Sequence, residues 1–181
     1  RAFGGTIDGA TAGEGTLTVN ESDNTAAPDA VTFSGNIGGT AGLLAVTVGT
    51  DNSTAGNAVF SGNVTANTFT AASGGHANED TTVSIAGNLT ATTVNVNTSA
   101  AAAAAKTDFT VTGTLTATTV NAVGGANDAG TDPTLFLKGD ASVATVNLDD
   151  NGATATLTAN GTAAQTLTIG NIRGTAKGSL D

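Results

Sequence analysis

The chain has 181 residues and a net charge of −10 carried by only 11% charged residues, with 3% aromatics and no Cys, Met, Trp or Tyr. Five Lys and Arg are too few to neutralise a phosphate backbone, which excludes nucleic acid as a partner, and the lack of cysteine excludes disulfides and thiol chemistry without excluding an extracellular site. No apolar run approaches the roughly 20 residues of a membrane-spanning helix, and the prevalence of Thr, Ala, Gly and Asn suits narrow stacked sheets better than a core of Leu and Phe.

In chain order, the sequence starts at Arg1 rather than Met, which reads as a processed product or a piece of something longer. A weak copy of a recurring phrase centres on Gly9 and a second on Gly35. Residues 58–69, 83–94 and 109–120 then restate one another around Gly62, Gly87 and Gly113, and a weaker copy centres on Gly139. The spacings between these glycines are 26, 27, 25, 26 and 26 residues. A fixed period of this size marks a repeat architecture, in which each unit buries its apolar face only by stacking on the next.

Around each glycine from Gly35 to Gly139 the apolar residues alternate strictly. Phe33, Phe60, Ile85, Val111 and Leu137 stand two before it, and Val31, Ala58, Val83, Phe109 and Leu135 four before. Two after it are Ile37, Val64, Leu89, Leu115 and Ala141, and four after it Gly39, Ala66, Ala91, Ala117 and Val143. Alternation puts these side chains on one face of extended strands. The parity then slips by one, to Phe69 and Ala71, Val94 and Val96, Val120 and Ala122, and Val146 and Leu148, which predicts a corner or bulge at a fixed place in every unit. In the Gly35 unit the pair is expected two residues late, at Leu44 and Val46. The glycine itself reads as a tight bend where a side chain would be in the way.

Between units lie about ten poorly matched residues that carry nearly all the acids: Glu21, Asp23, Asp29, Asp51, Glu79, Asp80, Asp108, Asp128, Asp132, Asp149 and Asp150. Insertions and charges should therefore collect on one side of the array. The alanine run 100–105 falls there and is too short to be a stable helix, so it reads as a loop or single turn. The final segment keeps strand-forming residues (Leu157, Leu167, Ile169) but loses the register.

The pattern predicts an all-β chain, a right-handed parallel β-solenoid with about 26 residues per rung. Residues 1–150 form the array and 151–181 an irregular C-terminal rung or cap. The competing architecture is an antiparallel β-sandwich built of hairpin repeats. Stacked rungs would let Asn95, Asn121 and Asn147 form a ladder.

Candidate chemistry is sparse. The single histidine, His76, sits in a Gly-rich variable segment, and the neighbouring acids Glu79 and Asp80 would face opposite ways on a strand, so the chain reads as a non-enzyme. Calcium is the cofactor best matched by composition, since hard cations take several oxygens. Asn127, Asp128 and Asp132 surround a glycine turn, Asp149, Asp150 and Asn151 form a second cluster, and Glu21 to Asn24 a third, none with full EF-hand spacing. An outward Thr-x-Thr row (Thr90 and Thr92, Thr116 and Thr118, with Thr65 and Asn67) matches what an ice-binding solenoid would present flat. Asn20, Asn52, Asn63, Asn88, Asn97 and Asn160 begin glycosylation sequons.

The phrases AVFSGNVTANTF, VSIAGNLTATTVNV and VTFSGNIGG resemble the β-strand repeats of large bacterial surface proteins, such as autotransporter passenger domains of the rickettsial outer-membrane protein B kind and repeat-rich surface-layer proteins. The resemblance spans roughly residues 30–150 and implies an extracellular, cell-surface structural or adhesive role. The expectation is a self-assembling building block of a surface layer, sheath or fibre, with itself as partner. The alternatives are an adhesin segment that binds a host-surface or matrix ligand, and an ice-binding solenoid.

Overall fold

The computed structural model describes residues 1–20, 29–49, 55–74, 79–97, 105–125, 133–149, 155–174 and 179–180. In chain order its strands are β1 (Ala2–Phe3), β2 (Thr16–Val19), β3 (Val31–Phe33), β4 (Leu43–Val48), β5 (Asn57–Phe60), β6 (Val64–Ala72), β7 (Thr81–Ile85) and β8 (Leu89–Asn97). There follow β9 (Thr107–Val111), β10 (Leu115–Val123), β11 (Thr134–Leu137), β12 (Ala141–Asp149), β13 (Thr156–Ala159), β14 (Leu167–Gly174) and β15 (Ser179–Leu180). The odd-numbered strands form one sheet in the order β1-β3-β5-β7-β9-β11-β13-β15, and the even-numbered strands a second, from β2 to β14. Every pairing is parallel.

Parallel neighbours need a crossover connection, and here the crossover is a strand of the opposite sheet. The chain thus winds as a β-solenoid with coils about 26 residues apart: Val94, Val120, Val146 and Ile172 stand in line. The antiparallel sandwich is not formed. Two kinds of connection alternate. Three residues join Phe60 to Val64, Ile85 to Leu89, Val111 to Leu115 and Leu137 to Ala141. The connections from β4, β6, β8, β10 and β12 back to the odd-numbered sheet are longer and leave from one side of the array, while Phe3 to Thr16 and Phe33 to Leu43 are long connections of the first kind.

The core lies between the sheets and is built of the alternating positions. Phe60, Ile85, Val111, Val64, Leu89, Leu115, Phe69 and Val94 are wholly buried. Each such side chain contributes about 1.5–3 kcal/mol by leaving water, and it does so only because the coils above and below cover it. Phe3, Phe33 and Phe60 stack in line, with ring centroids 5.4 and 5.0 Å apart. Phe69 meets Phe60 edge-on at 6.0 Å and stacks on Phe109 of the facing sheet at 4.9 Å.

The parity slip is a bulge within one long strand rather than a break between two. Ala66 and Thr68 pair with Ala91 and Thr93, but Asn67 and Thr92 between them do not pair, and Thr118, Ala144 and Gly170 repeat the omission. The Gly35 coil departs from expectation. Its inward pair is Val46 and Val48, in register with Phe69 and Ala71, so the displacement is four residues rather than two. Leu43 is buried at 2% exposure, whereas Leu44 points out at 49% and Gly39 is exposed. The cause is an extra turn before β4, entered through Gly38 at φ 67°, a left-handed conformation that glycine adopts without strain.

The column glycines are required by proximity, not by φ. A Cβ on Gly87 would stand 2.5 Å from the carbonyl oxygen of Gly62, and those on Gly113 and Gly139 would collide with the carbonyls of Gly87 and Gly113. Residues 156–174 continue the stack: β13 lies on β11 and β14 on β12. Gln165 substitutes for missing coil backbone there, donating to the carbonyls of Leu137 and Gly139 and accepting from Gly161 N–H.

Candidate functional site

The outer surface of the even-numbered sheet carries the exposed Thr-x-Thr residues. The repeated bulge bends this sheet inward along a line perpendicular to the strands. The result is an open trough of about 680 Å³, which runs from Ala12 and Gly13 to Thr168 and Gly170. Thr65, Thr90, Thr116 and Ser142 line one wall, Asn67, Thr92 and Thr118 the other, and Ala66, Ala91 and Ala117 the floor. No charged side chain lines it. The Thr-x-Thr residues are thus outward as expected, and they line this open trough.

A second, polar trough of about 540 Å³ lies three to five residues further along the same strands. Its floor is the asparagine ladder that the repeat predicts. Asn147 Nδ2 donates to Asn121 Oδ1 at 2.7 Å, Asn121 Nδ2 to Asn95 Oδ1 at 2.9 Å, and Asn95 Nδ2 to Thr70 Oγ1 at 3.3 Å. Arg173 stands next in register after Asn147. Stacked amides reinforce one another because each can donate to one coil and accept from the other.

A further ladder escaped the sequence reading. The residue after Gly35, Gly62, Gly87 and Gly139 turns its side chain along the stack. Asn36, Asn63 and Asn88 accept through Oδ1 from the backbone N–H of Asn63, Asn88 and Thr114 at 2.8–2.9 Å. Asp140 does the same for Thr166 at 2.8 Å. The Gly-Asn and Gly-Asp recurrence was the available signal. Two sequon asparagines, Asn63 and Asn88, are therefore structural acceptors. On the opposite side Thr81 Oγ1 donates to Ala72 O and Thr107 Oγ1 to Asn97 O, and these two buried hydroxyls tie the end of one coil to the start of the next.

Of the calcium candidates, Asn127, Asp128, Asp132, Asp150 and Asn151 lie outside the described residues, as do Glu21 to Asn24 and His76. Asp149 is the last residue of β12. Among the described residues no group of three or more His, Cys, Asp or Glu could hold a metal ion. Asp108 is not on the variable side but inside β9, half-buried between the strands that carry Thr82 and Thr134. Burial pushes its carboxyl above the ordinary carboxylate range; Asp80 adds to the rise and Lys106 opposes it. Lys106 N–H donates to Asp80 Oδ1 at 2.7 Å.

The ends of the array differ from its flanks. Among the described residues β1 and β2 pair on one side only, as do β14 and β15. Phe3, at the open end of its ring stack, is 51% exposed, and Ile172 on β14 is 47% exposed. Among the described residues no helix is long and apolar enough to cross a membrane. Comparison with protein-family models, curated proteins and solved structures finds no match.

Proposed function

We propose that this chain is a non-enzymatic extracellular structural protein, a self-assembling building block of a cell-surface layer, sheath or fibre. The observation that supports this reading is that, among the described residues, the outermost strands β1, β2, β14 and β15 each pair on one side only. Unpaired strand edges template the addition of further strands unless they are short, charged or covered. β14 is eight residues long and offers Ile172 to solvent. Contacts that join unlike ends and do not close produce filaments. The net charge of −10 opposes association at low ionic strength and is screened over about 10 Å at 0.1 M salt. Calcium in the acidic connecting segments would act in the same direction by bridging neighbours.

Negative-stain electron microscopy of the purified chain, with calcium and then with a chelator, tests the reading. Filaments or sheets are expected, and their dissolution on chelation would assign the cation a bridging role. Dispersed particles in both conditions would overturn self-assembly. A second reading, an adhesin segment, is favoured by the uncharged trough, which offers a concave hydroxyl-lined surface; it predicts a dispersed monomer that retains a ligand from a glycan array.

A further inference from the structure

We propose that Asn160 is a site of slow self-modification, in which the backbone nitrogen of Gly161 closes on its side chain, and that Gln165 holds this reaction in check. The proposal is independent of the self-assembly reading. Asn160–Gly161 is one of two Asn-Gly pairs in the sequence and the one that lies within the described residues, between β13 and β14. The corner asparagines Asn63 and Asn88 instead precede Val64 and Leu89, whose side chains stand beside the nitrogen that would have to attack.

The chemistry needs no residue beyond the pair, and water is its only co-reactant. The Gly161 nitrogen attacks Cγ of Asn160, and the Cγ–Nδ2 bond breaks. The proton lost from the nitrogen leaves with the departing ammonia by way of solvent. Water then opens the resulting succinimide at one carbonyl or the other, giving aspartate or isoaspartate. Either product adds one negative charge at this position. Glycine favours the attack because it sets no side chain beside the nitrogen and leaves the backbone free to turn. Yet no other residue fits here: a Cβ on Gly161 would stand 2.4 Å from the carbonyl oxygen of Lys138. Close packing against the preceding coil thus imposes the susceptible pair.

Asn160 is exposed, so water reaches it, and the restraint falls on the attacking nitrogen. Gly161 N–H donates to Gln165 Oε1 at 2.7 Å. Gln165 is itself fixed, because its Nε2 donates to Leu137 O at 2.9 Å and to Gly139 O at 2.7 Å. Asn160 N–H donates to the same Leu137 O at 3.0 Å, which anchors the backbone on the other side of the pair. The Gly161 nitrogen must give up its bond to Gln165 before it loses its proton and turns onto Cγ. The ring therefore closes only from molecules in which that bond is open, and one such bond reduces their share by a factor of about five. Gln165 acts here as a positioning residue: it holds the nitrogen away from the reaction.

The full chain, incubated at neutral pH, provides the test. Peptide mapping by mass spectrometry separates Asn160 from Asn151, the other asparagine that precedes glycine, and an isoaspartate methyltransferase counts the rearranged product. Folded wild type should convert Asn160 at least about fivefold more slowly than the same chain held unfolded in guanidinium. Gln165→Ala, shown by circular dichroism to keep the wild-type spectrum, should recover most of that difference. Asp140→Ala is the control: it removes the bond from Thr166 N–H to Asp140 Oδ1 in the same connection and leaves the Gly161 bond in place, so its rate should stay at the wild-type value. Equal rates in the folded and unfolded wild type, a comparison that needs no variant, would overturn the restraint. A Gln165→Ala rate equal to wild type, or an equal acceleration by Asp140→Ala, would overturn the part assigned to Gln165. No conversion of Asn160 even in the unfolded chain would overturn the site itself.

Discussion

Gly87→Ala isolates the close approach between coils. Gly87 lies outside the left-handed region, so alanine meets no backbone strain there. In the absence of other effects the substitution would stabilise by about 0.4–1 kcal/mol through the unfolded chain. The added Cβ, however, would lie 2.5 Å from Gly62 O and 2.7 Å from Asn63 Oδ1, about 0.9 Å inside ordinary contact at 3.4 Å. Relief requires the two coils to part locally by a similar amount. Three hydrogen bonds cross that seam within two residues: Ala86 N–H to Phe60 O at 2.8 Å, Asn88 N–H to Asn63 Oδ1 at 2.9 Å, and Val64 N–H to Asn88 O at 2.8 Å. Stretched by that much they pass beyond hydrogen-bond range. At about 1 kcal/mol each the loss is about 3 kcal/mol, which outweighs the entropic gain and leaves a net destabilisation of about 2 kcal/mol. For a chain of this size that lowers Tm by roughly 4–8 °C. Gly4, with nothing within 4 Å of its would-be Cβ, is the control; Gly4→Ala should stay within about 0.5 kcal/mol of wild type. Thermal melts followed by circular dichroism decide it. Equal Tm values for the two variants would refute the proximity account of the glycine column.

Asn121→Ala removes both of its ladder bonds and strands a donor on Asn147 and an acceptor on Asn95. A loss of about 1–3 kcal/mol in chemical denaturation is expected, and a loss below about 0.3 kcal/mol would mean that water replaces the ladder freely. Asp108→Asn should act through pH. Because the folded-state pKa of Asp108 is raised above 3.8, the folded chain holds this proton more tightly than the unfolded one. Stability therefore falls as pH rises from the unfolded value through the folded one, and the full desolvation cost persists above it. The variant should match wild type near pH 3 and be the more stable at pH 7; a variant less stable at pH 7 than at pH 3, relative to wild type, would show that the carboxylate makes a favourable contact.

Much of the fold was legible because a β-strand reports its inside and outside at every second residue. The core positions from Ala58 to Leu148 follow directly from that alternation and its period, and so does the Asn95–Asn121–Asn147 ladder, because stacked coils set like on like. The Gly35 coil was misplaced because its extra turn was counted as two residues; only the pairing of Val46 with Phe69 shows that four are inserted. The corner acceptors Asn36, Asn63 and Asn88 recur visibly in the sequence, but their role depends on a backbone N–H one coil away.

Sequence alone therefore determined the period and the inward face, since each depends on local alternation repeated at fixed spacing; that the units stack in parallel rather than pair as hairpins is decided by the strand pairing. Tertiary structure decided the rest. The unpaired residues Asn67, Thr92 and Thr118 turn an expected flat threonine row into a trough only when their bulges stack. Gly87 is obligatory only because Gly62 O, twenty-five residues earlier, comes to rest against it. Arg173 continues the asparagine column only because β14 stacks on β12 and sets it beside Asn147. Each of these is a contact between residues distant in the chain, and alternation within a strand carries no information about what lies across the next coil.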